Sequence, residues 1–148
     1  MKIFIGSDHA GLERKNEIIE FLKTKAIEVI DCGTYSKDSV DYPDFAVEVC
    51  NGVLENIDAQ GILVCYTGIG MSMAANKFKG IRASLVGIVE DAILTKEHNN
   101  SNVLCLSAKN TNKDLALEIV EAYLNSSFTY GRHERRVNKL TEIENGQK

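Results

Sequence analysis

The sequence predicts an α/β fold in which a mostly parallel sheet is buried between two layers of helices. Two observations carry this expectation. Apolar runs of strand length alternate with segments of helical period, and a glycine-rich turn, Gly68-Ile69-Gly70, leads from the third run into a helix of small residues. Such alternation needs right-handed crossovers that cover both sheet faces, and it collects polar loops beyond the carboxyl ends of the strands.

Each element follows from its pattern. Lys2–Ser7 is the first strand, and Leu12–Lys25 is an amphipathic helix whose Leu12, Ile18, Ile19 and Leu22 share a face. Glu28–Cys32 is the second strand. After a polar connection, a helix runs from Asp44, the expected N-cap, to about Glu55, with Phe45, Val49 and Val53 facing inward. Gly61–Cys65 is the third strand, and the helix after the glycine-rich turn reaches about Phe78. Arg82–Val86 is a fourth strand, Glu90–Lys96 a short helix, Asn102–Ser107 a fifth strand and Asp114–Leu124 another helix. A charged helix near His133–Glu144 closes the chain, and the polar tail Glu142–Lys148 is expected to fray.

With 148 residues, one proline and no tryptophan, the chain has the size of one domain, residues 1–148. Its 17 basic and 21 acidic residues give a formal net charge of −4, which offers no reason to propose nucleic acid or an anionic membrane as partner. Small molecules fit better. With neither a leader pattern nor a membrane-spanning apolar stretch, the expected location is cytoplasmic. The four cysteines, at 32, 50, 65 and 105, form no C-x-x-C pair, so reduced thiols are expected and no metal site. Cys50 and Cys105 fall within a helical and a strand pattern, where cysteine serves as a small hydrophobe.

The chemistry concentrates at Cys65-Tyr66-Thr67-Gly68-Ile69-Gly70-Met71-Ser72. Glycines let the backbone approach a ligand, and the amides opening the next helix are unpaired at the positive end of its dipole. An anionic oxygen fits there. A thiol facing that helix start has its thiolate stabilised and becomes a usable base or nucleophile, although a cysteine closing a core strand is also a common structural feature. Thr67 adds a hydroxyl, while Ser72 can equally pack or cap. Spacing excludes other glycine loops: a dinucleotide fingerprint needs glycine where Met73 stands, a P-loop needs Gly-Lys-Ser/Thr, and a cysteine phosphatase needs arginine where Met71 stands.

Asp8-His9 follows the first strand and would open on the same edge. A carboxylate beside an imidazole can move protons at neutral pH, and Asp8 can also simply cap the next helix. Further signals are His98-Asn99, read as following the fourth helix, and Arg132 and Arg136, one helical turn apart. Two guanidiniums on one face suit a phosphate dianion, or form an ordinary solvated basic helix end.

Gly6-Ser7-Asp8-His9-Ala10-Gly11, Asp41-Tyr42-Pro43, Cys65-x-Thr67-Gly68-x-Gly70-Met71-Ser72 with Ala74-Ala75-Asn76-Lys77, Gly80-Ile81-Arg82-Ala83, His98-Asn99, Asn102-Val103-Leu104 and Gly131-Arg132-His133 followed by Arg136-Val137 run in this order almost end to end. Together they closely resemble the ribose-5-phosphate isomerase B family of sugar-phosphate isomerases, which includes galactose-6-phosphate isomerase subunits. The resemblance implies a Rossmann-like three-layer sandwich with a five-stranded parallel sheet, and a homodimer or dimer of dimers with sites at the subunit interface and neither metal nor cofactor. It implies interconversion of ribose 5-phosphate and ribulose 5-phosphate through an enediolate, with a hexose 6-phosphate such as galactose or allose 6-phosphate as the alternative substrate.

By that resemblance, Cys65 is the base. Thr67 and the backbone amides of Gly68, Ile69 and Gly70 stabilise the enediolate, with Ser72 beside them. Asp8 and His98 open the sugar ring, His9, Arg132 and Arg136 clamp the phosphate, Asn99 holds sugar hydroxyls, and Tyr42 lines the pocket. The His98-Asn99 pair is expected to reach the partner's site. Two positions depart from the family pattern: Tyr66, usually glycine, and Lys109, where many relatives carry an arginine that contacts phosphate or sugar. Met71 fits the cysteine-base branch. From a different class, a non-catalytic nucleotide-binding protein could share the sheet and the glycine-rich loop, and would not need Cys65.

Overall fold

The structure, a computed structural model, describes residues 1–147. Five strands form one all-parallel sheet in the order β2-β1-β3-β5-β4: β1 (Lys2–Ser7), β2 (Glu28–Asp31), β3 (Gln60–Cys65), β4 (Ala83–Leu85) and β5 (Val103–Ser107). Six α-helices accompany them: α1 (Leu12–Thr24), α2 (Tyr42–Glu55), α3 (Ile69–Ala75), α4 (Val89–Asn99), α5 (Lys113–Asn125) and α6 (Arg132–Glu144). The expected three-layer α/β architecture is what the chain adopts.

Two apolar clusters fill the spaces on either side of the sheet. Ile3, Ile5, Ile62, Val64, Leu104 and Leu106 face Ile18, Ile19 and Leu22 of α1 and Ala116, Ile119 and Val120 of α5. Leu63, Cys65, Val103 and Cys105 face Ala46, Val49, Cys50 and Val53 of α2 and Met71 and Ala75 of α3. Alternate strand residues supply the two clusters, because successive side chains point to opposite faces. At roughly 25 cal/mol per Å² of apolar surface, each fully buried aliphatic side chain contributes about 2 kcal/mol, and these two clusters pin the helices to the three central strands.

The boundaries differ from expectation where capping chemistry decides them. Asp44 lies in the first turn of α2 and does not cap it: the N-cap position is Asp41, whose side chain makes no capping bond. The helix can start ahead of Pro43 because the first-turn positions need no amide donor. α4 runs past Lys96 to Asn99, since Asn100 takes a left-handed conformation (φ 49°) that ends the helix as glycine usually does. His98 and Asn99 therefore form the last turn of α4 instead of following it. At the other end of the chain α6 runs through Glu144, whose Oε1 accepts from the Gly80 amide at 3.0 Å; Lys148 lies outside the described residues.

A reversal in the strand order positions the site. From β1 the chain steps outward to β2 and then returns to the other side of β1 to form β3. The crevice where the order reverses, beyond the carboxyl ends of β1 and β3, is where such sheets bind ligands.

Candidate active site

The crevice begins with Asp8. Its Oδ1 accepts from the amides of Ala10 at 3.0 Å and Gly11 at 3.1 Å, capping a 3-10 turn at His9–Gly11, so its capping role is real. Gly11 is fixed by lack of space, because a Cβ there would stand 2.5 Å from the Val64 carbonyl oxygen. The turn is thereby pressed onto the end of β3, beside Cys65. His9 Nδ1 accepts from the Val40 amide at 3.2 Å. A neutral imidazole accepting at Nδ1 carries its proton on Nε2, which makes that nitrogen a donor.

Cys65 closes β3 and is 5% exposed. Its Sγ accepts from the Gly68 amide at 3.2 Å, and Thr67 Oγ1 accepts from the Ile69 amide at 3.2 Å. Gly68 has φ 78°, and a Cβ there would meet Leu85 Cδ1 at 2.5 Å and the Leu106 carbonyl carbon at 2.9 Å. The turn thus folds its amides back onto the thiol. The next amides, of Gly70 and Met71 in the first turn of α3, have no intrahelical acceptor and are free to bind an oxyanion. Tyr42 packs on Gly70, where a Cβ would meet its ring at 2.7 Å, so one wall of the loop is aromatic. Ser72 Oγ donates to the Ile69 carbonyl at 2.9 Å and serves the turn locally.

Burial pushes the Cys32 thiol up to about 11 and Cys50 up to about 12, and raises Cys105 as well, which keeps all three protonated at neutral pH. No metal-binding group of three or more His, Cys, Asp or Glu side chains occurs among the described residues.

The second group of expected residues lies at the opposite edge of the sheet. α4 leads back from the carboxyl edge, and Lys96 Nζ donates to Oε1 of Gln60, the first residue of β3, at 2.6 Å. The last turn of α4 is therefore at the amino end of the strand whose carboxyl end carries Cys65, about 16 Å away at ~3.3 Å per residue. Here His98 stacks on His133, with ring centroids 4.2 Å apart and planes 13° from parallel. The segment before α6 is tied to α4 by the Thr129 amide and hydroxyl, which donate to the Glu97 carbonyl at 3.1 and 2.9 Å. Arg132 and Arg136 are exposed beside this stack.

The chain therefore divides its expected site residues in two. Asp8, His9, Tyr42, Cys65, Thr67, the Gly68–Gly70 turn, Ser72 and Lys109 share the carboxyl edge. His98, Asn99, Arg132 and Arg136 share the amino edge. A cavity of about 340 Å³ at the amino edge is lined by Asn99 with Arg82, Leu140 and Glu144. Another of about 710 Å³, between α1 and α5, is lined by none of the expected residues. Sequence reasoning gave no role to His133, although its place between two arginines was a usable signal; burial, His98, Arg132 and Arg136 hold its imidazolium below the ordinary range, against the pull of Glu97.

The comparisons with known proteins bear on the family and the fold. The family model described as Ribose/Galactose Isomerase matches residues 3–140. A probable ribose-5-phosphate isomerase B of Mycoplasma genitalium is 46% identical over 144 residues, 96% of this chain and 95% of that protein. Ribose-5-phosphate isomerase B of Escherichia coli is 43% identical over 143 residues, covering 97% and 96%. Among solved structures, ribose-5-phosphate isomerase B of Clostridium thermocellum superposes with a TM-score of 0.97 at 47% identity, covering all of both chains. The Mycoplasma genitalium enzyme with bound ribulose-5-phosphate superposes with a TM-score of 0.94 at 46% identity, covering 97% and 96%. With a family model spanning most of its length and near-full-length relatives above 40% identity, this chain belongs to the ribose/galactose isomerase family.

Proposed function

We propose that this protein is an aldose–ketose isomerase of one domain that interconverts ribose 5-phosphate and ribulose 5-phosphate in the cytoplasm. The observation that carries the mechanism is the Gly68 amide bonded to Cys65 Sγ on a turn whose next amides are unpaired. A base and an oxyanion cradle stand side by side, which is what proton transfer next to a carbonyl requires. The relative bound to ribulose-5-phosphate supports the substrate.

In this reading Asp8 and His98 move the protons that open the sugar ring. The Cys65 thiolate then takes the proton from C2 of the open aldose, and the electron pair moves toward the carbonyl to give an enediolate. The Thr67 hydroxyl and the Gly70 and Met71 amides stabilise its oxygens, at about 3 kcal/mol per well-placed donor, while the Gly68 and Ile69 amides stay on Cys65 Sγ and Thr67 Oγ1. Cys65 returns the proton to C1 while one proton passes from O2 to O1, and ribulose 5-phosphate results. His9 Nε2, Lys109, Arg132 and Arg136 bind the phosphate, and Asn99 holds sugar hydroxyls.

A homodimer completes the site. The separation of Cys65 from His98, Asn99, Arg132 and Arg136 across the sheet supports it, since one chain cannot bring the two groups to one sugar. Following ketose formation from ribose 5-phosphate, with galactose 6-phosphate and allose 6-phosphate alongside, tests the reading. Efficient turnover of the pentose supports it, and preference for a hexose phosphate moves the protein to the other substrate branch. No turnover of any sugar phosphate overturns it.

A further inference from the structure

The two residues that depart from the family pattern touch each other. Lys109 Nζ stands 5.9 Å from the centre of the Tyr66 ring, within the ~6 Å reach of a cation–π contact. Their backbones are joined as well: the Lys109 amide donates to the Tyr66 carbonyl at 2.9 Å, and Ser107 Oγ donates to the same oxygen at 2.9 Å. Ser107 is the residue of β5 in register with Cys65, so the pair is built onto the ends of the two strands that frame the thiol.

We propose that Tyr66 is a positioning residue for Lys109, holding its ammonium at the rim of the Cys65 turn for the phosphate of the substrate; this rests on the isomerase reading above. Lys109 is exposed, and among the described residues no carboxylate pairs with it. It is therefore a charge without a protein counterion beside a site for an anion. A lysine is a flexible stem with a compact charge, and it loses side-chain freedom when it binds. A ring beneath it restricts the stem beforehand and favours the bound arrangement. Tyr66 is 57% exposed and lies outside the buried core, and its ring carries the contact with Lys109.

The test is a double-mutant cycle on Tyr66→Leu and Lys109→Ala, with Tyr66→Phe as the variant that keeps the π face. KM for ribose 5-phosphate and inhibition by inorganic phosphate are the readouts. Tyr66→Leu should raise KM and the phosphate inhibition constant about two- to five-fold with kcat unchanged, as expected for loss of an exposed cation–π contact. Tyr66→Phe should stay near the unsubstituted protein, and Tyr66→Leu should add nothing once Lys109 is alanine. An equal rise in both backgrounds, no rise at all, or an effect on kcat alone overturns the proposal. Absence of turnover in the unsubstituted protein would instead overturn the isomerase reading, and calorimetric binding of inorganic phosphate to the same four proteins would still decide the pair.

Discussion

His98 and His133 lie ring on ring, centroids 4.2 Å apart and planes 13° from parallel, joining the last turn of α4 to the first turn of α6. The stack fixes the direction in which His98 presents its ring nitrogens, and it does so from an element that also carries Arg132 and Arg136. Two imidazoles this close resist carrying charge together, which is one reason His133 is held neutral more firmly than an isolated histidine.

His133→Ala should therefore lower kcat/KM for ribose 5-phosphate by roughly three- to ten-fold, in line with an aromatic pair. His133→Phe should recover most of it. The pH dependence has a definite sign: a histidine whose folded-state value is depressed stabilises least when protonated, so stability is intact above about 6.5 and falls as the pH drops toward the folded value. Thermal unfolding between pH 7 and 5 should show a shallower acid decline in His133→Phe than in the unsubstituted protein. Parallel curves would contradict the assignment.

If Cys65 is the base proposed above, Cys65→Ala should reduce turnover by at least about a thousand-fold while folding and phosphate binding persist, because a base for a carbon-bound proton is not a phosphate ligand. The side chain is buried but small, and the lost volume costs stability of only about 1 kcal/mol. Activity within ten-fold of the unsubstituted enzyme would remove Cys65 from the role of base.

Arg132→Ala and Arg136→Ala should each raise KM about ten-fold or more with smaller effects on kcat, since under the proposed reading each removes a charge-assisted bond to phosphate. Both residues are exposed, and Tm should move little. Unchanged affinity for phosphate substrates in both variants would return them to an ordinary solvated helix end.

Much of this was legible in the sequence. The expected strands all appear, because continuous apolar runs such as Ile3–Ile5 and Val103–Leu106 suit a sheet covered on both faces. The glycine turn was equally plain, since Gly68 needs a positive φ that its neighbours resist. Helix ends were harder to read: Asn100 ends α4 through its own backbone conformation, where a glycine would have marked the position. Buried charge was the hardest. Lys15 is fully buried, and its Nζ donates to Asp31 Oδ1 at 2.6 Å across the α1–β2 packing, a pairing that no local pattern contains. The division of the site across the two sheet edges depends on the direction of α4: the resemblance implied it for His98 and Asn99, and the fold places Arg132 and Arg136 with them.

Lys96 gives a stability prediction independent of activity. Burial, and then the charge of Arg82, push its ammonium from the ordinary 10.5 down to about 8. A lysine depressed on folding carries its full penalty below the folded value and loses it as pH rises from there toward 10.5. Between pH 7.5 and 9.5 the unsubstituted protein should gain on Lys96→Met by about 1–2 kcal/mol, a figure already reduced for solvent screening. Urea unfolding of the two proteins at both pH values measures it. A difference that does not vary with pH would mean that Lys96 titrates as an ordinary surface lysine.

The proposal that two chains share each site is tested most directly by mixing two proteins expected to be inactive, Cys65→Ala and His98→Ala, under conditions that exchange subunits. Each alone should be inactive, because every site lacks one group. In a two-fold dimer, random mixing makes half of the dimers mixed, and each mixed dimer contains one site with both Cys65 and His98 intact. Recovery of about a quarter of the unsubstituted activity is the expected result. No recovery from the mixture, with both proteins folded and exchanging, would contradict a site assembled from two chains.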